Sequence, residues 1–265
     1  MDGVPNEKRS ARPTKKRGAE RIKNSEKSEN QCKLSVIIGV SHCEKTVKKI
    51  LKQVEKLCPK EIIVVINGSQ DSSIDVVLSY STYSLKVFFY PFALGEDVWR
   101  SIGAREAAGD VWLFLDANTV IRAEELQPFA KACYKGVDIA LQRSQNKTTT
   151  EVQTTGTVML ARNFLNHLLA QGDLGTSSMC DVPFAITSQA AAQIGFQHLL
   201  IPPLAQAVAI EKGLRLERSH RIKETVSSEK ERLLDGKKAW RELTSLGDHL
   251  EAIHYIHERN NEELI

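Results

Sequence analysis

Short apolar runs alternate with segments of helical periodicity in the first half of the chain. The runs are rich in β-branched and aromatic residues, which predicts strands over residues 34–38, 61–66, 85–90 and 111–115. Between them, apolar side chains recur three and four positions apart, which predicts helices over residues 45–57, 72–80 and 97–109. Apolar strands that alternate with helices are typical of a parallel sheet covered on both faces. We therefore predict an α/β fold with a mostly parallel central sheet and flanking helices.

Beyond residue 121 the alternation is less regular, although elements of both kinds are still predicted. Helices are predicted over residues 123–134, 164–170, 188–195 and 204–212. Strands are predicted over residues 138–142, 156–160, 182–186 and 214–216. The last stretch is charged, with an apolar stripe at helical spacing formed by Leu246, Leu250, Ile253 and Ile256. We predict a C-terminal helical extension over residues 226–265.

The first 31 residues form a basic tail with few large apolar side chains. Residues 1–30 contain nine Lys or Arg and five Asp or Glu, whereas the rest of the chain is nearly balanced, with 27 basic and 28 acidic residues. Such a segment cannot bury enough apolar surface to offset its ordering entropy, so we predict that residues 1–31 are disordered. They are either a solvated leader or a peripheral contact with an anionic membrane. The near-neutral body argues against nucleic-acid binding.

Cysteine usage and hydropathy indicate a cytoplasmic protein. Five cysteines occur at irregular spacing without a paired motif, which is typical of reduced thiols. The longest apolar runs span about five residues, far fewer than the roughly 20 of a transmembrane helix. The basic N-terminus has no apolar segment of the kind found in secretory signals. We expect a cytoplasmic location, with peripheral binding at the inner face of the membrane as the alternative.

Candidate chemistry lies where the predicted strands end. Ligands of open parallel sheets bind at the carboxyl ends of the strands, and Asp116 directly follows the apolar run 111–115. A carboxylate at this place can hold a divalent cation or a ribose hydroxyl, and it can equally cap the next turn together with Asn118. Neither the phosphate-binding loop of P-loop ATPases nor the glycine fingerprint of dinucleotide folds follows the first strand.

Three segments of the sequence, in matching order, resemble family-2 glycosyltransferases of the GT-A fold. They are LSVII at 34–38, EIIVVINGSQDSS at 61–73 and LGEDVWRSIGAREAAGDVWLFLDAN at 94–118. A weaker likeness to the acceptor-side segment of that family covers residues 179–213. The resemblance implies a GT-A-like domain over residues 32–225, with a nucleotide-binding half at 32–121 and an acceptor half at 122–225.

The resemblance also implies roles for individual residues. Asn67 stands where the family contacts the nucleotide base, and Arg100 stands where relatives place an arginine near the nucleotide and its phosphates. Asp116 and Asn118 occupy the DxD positions, which hold the ribose and a Mg²⁺ or Mn²⁺ ion that bridges the diphosphate. His220 matches a position where some GT-A enzymes supply another metal ligand, and its alternative interpretation is a surface histidine.

Two departures from the family pattern affect the chemistry. Asn118 replaces the second aspartate of the DxD motif and offers a neutral oxygen, which should weaken metal binding. Pro202-Pro203 stands where many inverting members carry a Glu-Asp pair that includes the catalytic base. An inverting mechanism would then need another carboxylate, for which Asp181 is our candidate and Asp173 a weaker one. A retaining mechanism would need no such base.

We therefore expect a hexosyltransferase-like enzyme that transfers a sugar from a nucleoside-diphosphate sugar to an acceptor hydroxyl. By analogy with polymer-building relatives, the acceptor would belong to cell-surface polysaccharide or glycolipid synthesis. The alternative is a catalytically weakened relative that binds a sugar nucleotide or a glycan as a scaffold, which Asn118 and the missing Glu-Asp pair favour. A nucleotidyltransferase ranks third, because the first strand is not followed by a glycine-rich basic loop.

Overall fold

The centre of the protein is a twisted sheet, seen in a computed structural model that describes residues 33–80, 84–144, 156–223, 225–228 and 235–262. These residues form a seven-stranded sheet in the order β3-β2-β1-β4-β7-β6-β8 and a two-stranded sheet of β5 and β9. The tail 1–31 lies outside the described residues, so its disorder and its membrane contact stay predictions.

The strands follow the predicted order closely through β4. They are β1 Leu34–Val40, β2 Glu61–Asn67, β3 Leu85–Tyr90, β4 Val111–Asp116, β5 Thr119–Ile121, β6 Ile139–Gln142, β7 Phe184–Thr187, β8 Leu216–His220 and β9 Thr225–Ser228. Strands β1 to β4 pair in parallel, and β6 pairs in parallel with β8. β7 runs antiparallel to both of its neighbours, β4 and β6. The start of β7 therefore lies at the same edge of the sheet as the end of β4.

The helices cover both faces of the large sheet. They are α1 Val47–Glu55, α2 Ser73–Leu78, α3 Val98–Glu106, α4 Ala123–Tyr134, α5 Thr157–Leu168, α6 Ser188–Ile194, α7 Pro202–Glu211 and α8 Asp235–Glu262. Alternate residues of β1 belong to two separate hydrophobic cores. Ile37 packs with residues of α3 and of α5 to α8, whereas Val36 and Ile38 pack with residues of α1 and α4. This arrangement confirms the predicted α/β class.

Helix α3 approaches the sheet closely because glycines lie at its contact with β1. A Cβ atom on Gly39 would lie 2.6 Å from the indole of Trp99, and one on Gly103 would collide with Ile37. Real Cβ atoms do not come so near, so a side chain at either position would push α3 outward. The glycines thus fix the distance between α3 and the end of β1.

The strand predicted over residues 156–160 is wrong, because Gly156 caps helix α5 and residues 157–160 form its first turn. The buried face of α5 includes the polar residues Arg162 and Asn166, whereas Leu160, Phe164 and Leu168 are exposed. Polar residues on the inside and apolar ones on the outside invert the usual helical pattern. The mostly apolar run at residues 157–160 therefore resembles a strand in the sequence although it is helical. The predicted strand 214–216 likewise lies later, at Leu216–His220.

The C-terminal helix α8 packs against the rest of the protein. It contacts α5 and α7 and buries His249, Ala252 and Ile256, while Leu250 of the predicted apolar stripe is 56% exposed. His249 is a polar residue within this buried face, and its side chain is fully buried. Among the described residues, no helix is both long and apolar enough to cross a membrane.

Candidate donor site at the carboxyl edge of the sheet

Asp116 lies at the edge where β1, β2 and β4 end. Its backbone is in register with Gly39 of β1, and the amide of Ala117 donates a hydrogen bond to the Gly39 carbonyl at 2.9 Å. A cavity of about 200 Å³ opens beside it. The residues around this cavity include Asp116, Thr119, Gln142, Val182, Pro183 and Ile222. The cavity therefore joins the end of β4 to the segment that precedes β7.

Asp116 and Asn118 are brought together by a tight turn. The Asn118 amide donates to Asp116 Oδ1 at 3.0 Å, and Asn118 Oδ1 accepts from Cys43 Sγ at 3.2 Å. Burial raises the pKa of Asp116 above its usual value, although backbone hydrogen bonds and the charges of Arg100 and Arg241 act in the opposite direction. A carboxylate that is costly to ionise is one that a bound cation would stabilise.

The donor set at this turn fits a divalent cation that is shared with a ligand. Asp116 offers a carboxylate and Asn118 an amide oxygen, both of which are hard oxygen donors. Mg²⁺ in proteins is commonly held by one or two carboxylates together with substrate phosphates. Within the described part of the chain, no three His, Cys, Asp or Glu side chains form a complete metal-binding group. The residues thus fit a cation whose remaining ligands would have to come from a bound phosphate compound and water.

His220 does not turn its ring toward this pair. Its Nε2 atom lies 2.9 Å from Glu125 Oε2, and the same carboxylate oxygen accepts from the Lys223 amide at 3.1 Å. The imidazole also packs edge-on against Phe129. Glu125 therefore engages Nε2, and a metal role for His220 would use Nδ1.

The turn at residues 67–73 fastens the first loop to the sheet. Ser69 and Ser73 accept hydrogen bonds from the amides of His42 and Cys43, and Asp71 accepts from the amide of Glu44. Burial opposes ionisation of Asp71, but the hydrogen bonds from Ser73 and Glu44 leave its pKa below the usual value. These polar side chains shape the loop at the edge where β1, β2 and β4 end, which we call the donor edge after the site predicted there.

Asn67 clamps the loop that leads into α3. Its Nδ2 donates to the Gly95 carbonyl at 2.7 Å, and its Oδ1 accepts from the Leu94 amide at 2.8 Å. Gly68 follows with φ of 68°, and a Cβ there would lie 2.8 Å from the Ala93 backbone. The amide of Asn67, predicted to meet the nucleotide base, is engaged by the protein backbone in this structure.

Arg100 ties helix α3 to the segment ahead of β7. Its side chain is 5% exposed, its Nη2 donates to the Cys180 carbonyl at 3.0 Å, and its Nη1 donates to the Met179 carbonyl. Asp97 Oδ1 lies 2.7 Å from its Nε, and the guanidinium lies over the Phe184 ring at 5.4 Å. Arg100 therefore acts on the donor edge through its charge while its hydrogen bonds hold the backbone ahead of β7.

Asp181 lies ahead of β7 in an ion pair with a buried arginine. Both of its carboxylate oxygens lie 2.9 Å from Arg162 Nη1, and its side chain is one third exposed. Asp173, the weaker candidate, is exposed in a short 3₁₀ turn. Pro202 and Pro203 are buried in the first turn of α7, so no carboxylate stands there.

Sequence reasoning missed the polar network that holds this segment. Gln206 accepts from the Met179 amide at 2.8 Å and donates to Asn166 Oδ1 at 2.7 Å, and Asn166 in turn donates to the Gly175 carbonyl at 2.8 Å. The spacing of Arg162 and Asn166, one helical turn apart within an apolar segment, is a signal that could have revealed it.

Acidic side chains from α8 and from the start of α3 meet near the donor edge. Burial and the charges of Asp97, Glu251 and Glu96 raise the pKa of Asp248 to about 6. Arg241 of α8 offsets part of this charge, with its Nε 2.6 Å from Glu96 Oε1.

This architecture, with a carboxylate at the end of β4 beside a cavity, defines a transferase of the GT-A fold. The chain belongs to glycosyl transferase family 2, whose profile matches residues 35–193. No curated protein matches it in sequence.

Solved structures of two synthases share the fold. The chain is similar to glucosyl-3-phosphoglycerate synthase from Mycobacterium tuberculosis in complex with Mn²⁺, UDP and phosphoglyceric acid, with a TM-score of 0.62, 14% identity, and coverage of 86% of this chain and 82% of that one. It is also similar to mannosyl-3-phosphoglycerate synthase from Rubrobacter xylanophilus, with a TM-score of 0.61, 16% identity, and coverage of 90% and 78%. At these identities the likeness concerns the fold.

Proposed function

We propose that the protein transfers a sugar from a nucleoside-diphosphate sugar to an acceptor hydroxyl with the help of Mg²⁺ or Mn²⁺. The observation that carries the proposal is the half-buried carboxylate of Asp116, paired with Asn118 at the end of β4 within the segment that matches the family. The neighbouring synthase that holds Mn²⁺ and UDP supports UDP as the first nucleotide to test.

Each residue of the proposed site has a distinct task. Asp116 and Asn118 would hold the cation, which supplies Lewis-acid stabilisation of the leaving diphosphate. Asp181 is our candidate base for the acceptor hydroxyl, and Arg162 orients its carboxylate. His220 would join the cation site through Nδ1, with Glu125 holding Nε2.

The acceptor is a hydroxyl compound that reaches the cavity between β4 and the segment ahead of β7. A precursor of cell-surface polysaccharide or glycolipid remains our proposal from the family. A small hydroxy acid is a second candidate, supported by the phosphoglyceric acid bound to the neighbouring synthase. Activity assays that offer both acceptor classes with one donor separate them.

We expect one nucleoside diphosphate to stabilise the protein in a thermal-shift screen of UDP, GDP, dTDP, CDP and ADP, each with and without Mn²⁺. A ligand that binds the folded state at 100 times its Kd adds about 2.7 kcal/mol, which corresponds to several degrees. The shift should increase with Mn²⁺, because a cation held by Asp116 would also offset the charge of the diphosphate. The absence of a shift with all five would contradict the proposed donor site.

Asn118 also favours the alternative, a catalytically weakened relative that acts as a scaffold. One substitution distinguishes this alternative from a working transferase. In Asn118→Asp we expect Mn²⁺ to bind roughly tenfold more tightly in the presence of UDP, because the added charge strengthens an oxygen site. For a working transferase we expect turnover to fall, because the diphosphate leaves more slowly. Titration with Mn²⁺ and steady-state assays measure both effects, and a large gain in turnover would instead indicate a degenerate site.

A further inference from the structure

Helix α8 follows the segment that matches the family, yet it reaches the donor edge through Arg241. The Arg241 Nε lies 2.6 Å from Glu96 Oε1 across 145 positions of sequence. The body of α8 is fixed by its packing on α5 and α7, with Ala252 and Ile256 in the core. Arg241 therefore lies on a helix whose position is fixed by packing.

Glu96, one partner of Arg241, belongs to the loop that borders the turn at residues 67–73, which we call the nucleotide turn. Asn67 clamps Leu94 and Gly95, the two residues before Glu96, and Asp97 after it lies 2.7 Å from Arg100. Arg241 is thus linked through one short loop to the end of β2 and to the start of α3.

Glu96 and Asp97 lie in the loop beside this edge, and Asp248 of α8 is close enough for their charges to act on it. A diphosphate that binds here would be repelled by these carboxylates. Its negative charge requires cations beyond a metal ion. Arg100 is buried, and its terminal nitrogens already donate to the carbonyls of residues 179 and 180. The Arg241 side chain is 48% exposed, so its planar guanidinium can turn to a phosphate in the bidentate geometry that arginine favours.

We propose that Arg241 is the phosphate-binding arginine that α8 contributes to the donor site, and that Glu96 holds it at the rim until a nucleoside diphosphate binds. The inference rests on the proposed function, because it concerns the same donor site. Arg241 exchanges the Glu96 carboxylate for the diphosphate, while Arg100 continues to hold the segment ahead of β7.

The first test compares Arg241→Gln with the wild-type protein in calorimetric titrations with UDP and uridine, both in the presence of Mn²⁺. If a diphosphate other than UDP gives the largest thermal shift, the titrations use that diphosphate and its nucleoside in place of UDP and uridine. We expect the Kd for the diphosphate to rise about tenfold, whereas the Kd for the nucleoside changes less than twofold. Arg259→Gln, the same change on an exposed residue about 27 Å further along α8, should leave both unchanged.

A second variant distinguishes direct binding from simple neutralisation of Glu96. If Arg241 contacts the phosphates, Glu96→Gln alone binds the diphosphate at least as tightly as the wild type, and Glu96→Gln/Arg241→Gln keeps the loss. Recovery of affinity in the double variant would overturn the proposal. So would an Arg241→Gln affinity within twofold of wild type, or equal losses for the diphosphate and the nucleoside.

These outcomes are separate from a failure of the proposed function. If the wild-type protein binds none of the five diphosphates, the donor site and the role of Arg241 fall together. If the wild type binds one of them and Arg241→Gln binds it equally well, the donor site stands and the role of Arg241 alone is refuted. Melting temperatures of every variant confirm that each is folded.

Discussion

Replacing Asp116 by alanine is expected to abolish the Mn²⁺-dependent part of the nucleotide shift and to lower turnover by about 10²- to 10³-fold. Losses of this size follow the removal of a group that stabilises developing charge. Asp116 is the carboxylate of the turn that ends β4, and Asn118 offers a neutral oxygen. Thermal shifts with and without Mn²⁺ and steady-state kinetics measure the two effects.

The melting temperature of ligand-free Asp116→Asn shows whether a loss of metal-dependent binding comes from the site itself or from misfolding. Burial raises the folded-state pKa of Asp116, so its ionised form costs stability at neutral pH, and that cost disappears as the pH falls through the raised pKa. We therefore expect Asp116→Asn to melt no lower than the wild type at pH 7 while losing metal-dependent binding. Asp75→Ala, at an exposed position of α2, is the control. Full activity in Asp116→Ala would contradict the assignment.

Replacing Asp181 by asparagine is expected to lower kcat by about 10²- to 10⁴-fold while UDP binds within twofold of wild type. This is the range that general base catalysis contributes. Asparagine keeps one acceptor oxygen for Arg162, so the buried guanidinium retains a partner while the base is removed. Steady-state kinetics and calorimetric titration with UDP measure the two quantities.

Asp173→Asn is the matched control, because it makes the same change in an exposed turn earlier in the chain. It should leave kcat unchanged. The role of Asp181 as base would be refuted if Asp181→Asn kept full turnover. A fall in kcat matched by an equal loss of UDP binding and a lower melting temperature would instead indicate a structural role.

The first half of the fold could be predicted from the sequence because its strands are buried on both sides. Runs such as LSVII leave little choice of structure, and the end of each run locates the edge where Asp116 lies. Helix α5 could not be predicted in this way. Its buried face includes Arg162 and Asn166, whose burial depends on partners at residues 175–181 and at Gln206.

Only the part of the candidate site that is formed by residues close in sequence could be predicted. Asp116 and Asn118 are two positions apart, so a local pattern brings them together. The partners of Asn67, Arg100 and His220 come from loops and helices elsewhere in the chain, and a single sequence does not show such contacts. Arg241 lies still further away, beyond the segment that carries the resemblance.

The reversed direction of β7 has a consequence for how this protein could change its substrates over evolutionary time. The residues proposed for the donor follow their strands, whereas Asp181 precedes β7. If β7 were parallel to β4, Asp181 would lie at the opposite edge of the sheet, about 13 Å away. Insertions or deletions ahead of β7 can therefore reshape the acceptor side without shifting the register of β1 to β4. Selection for a new acceptor can act on one short stretch of the gene while the nucleotide turn is inherited intact.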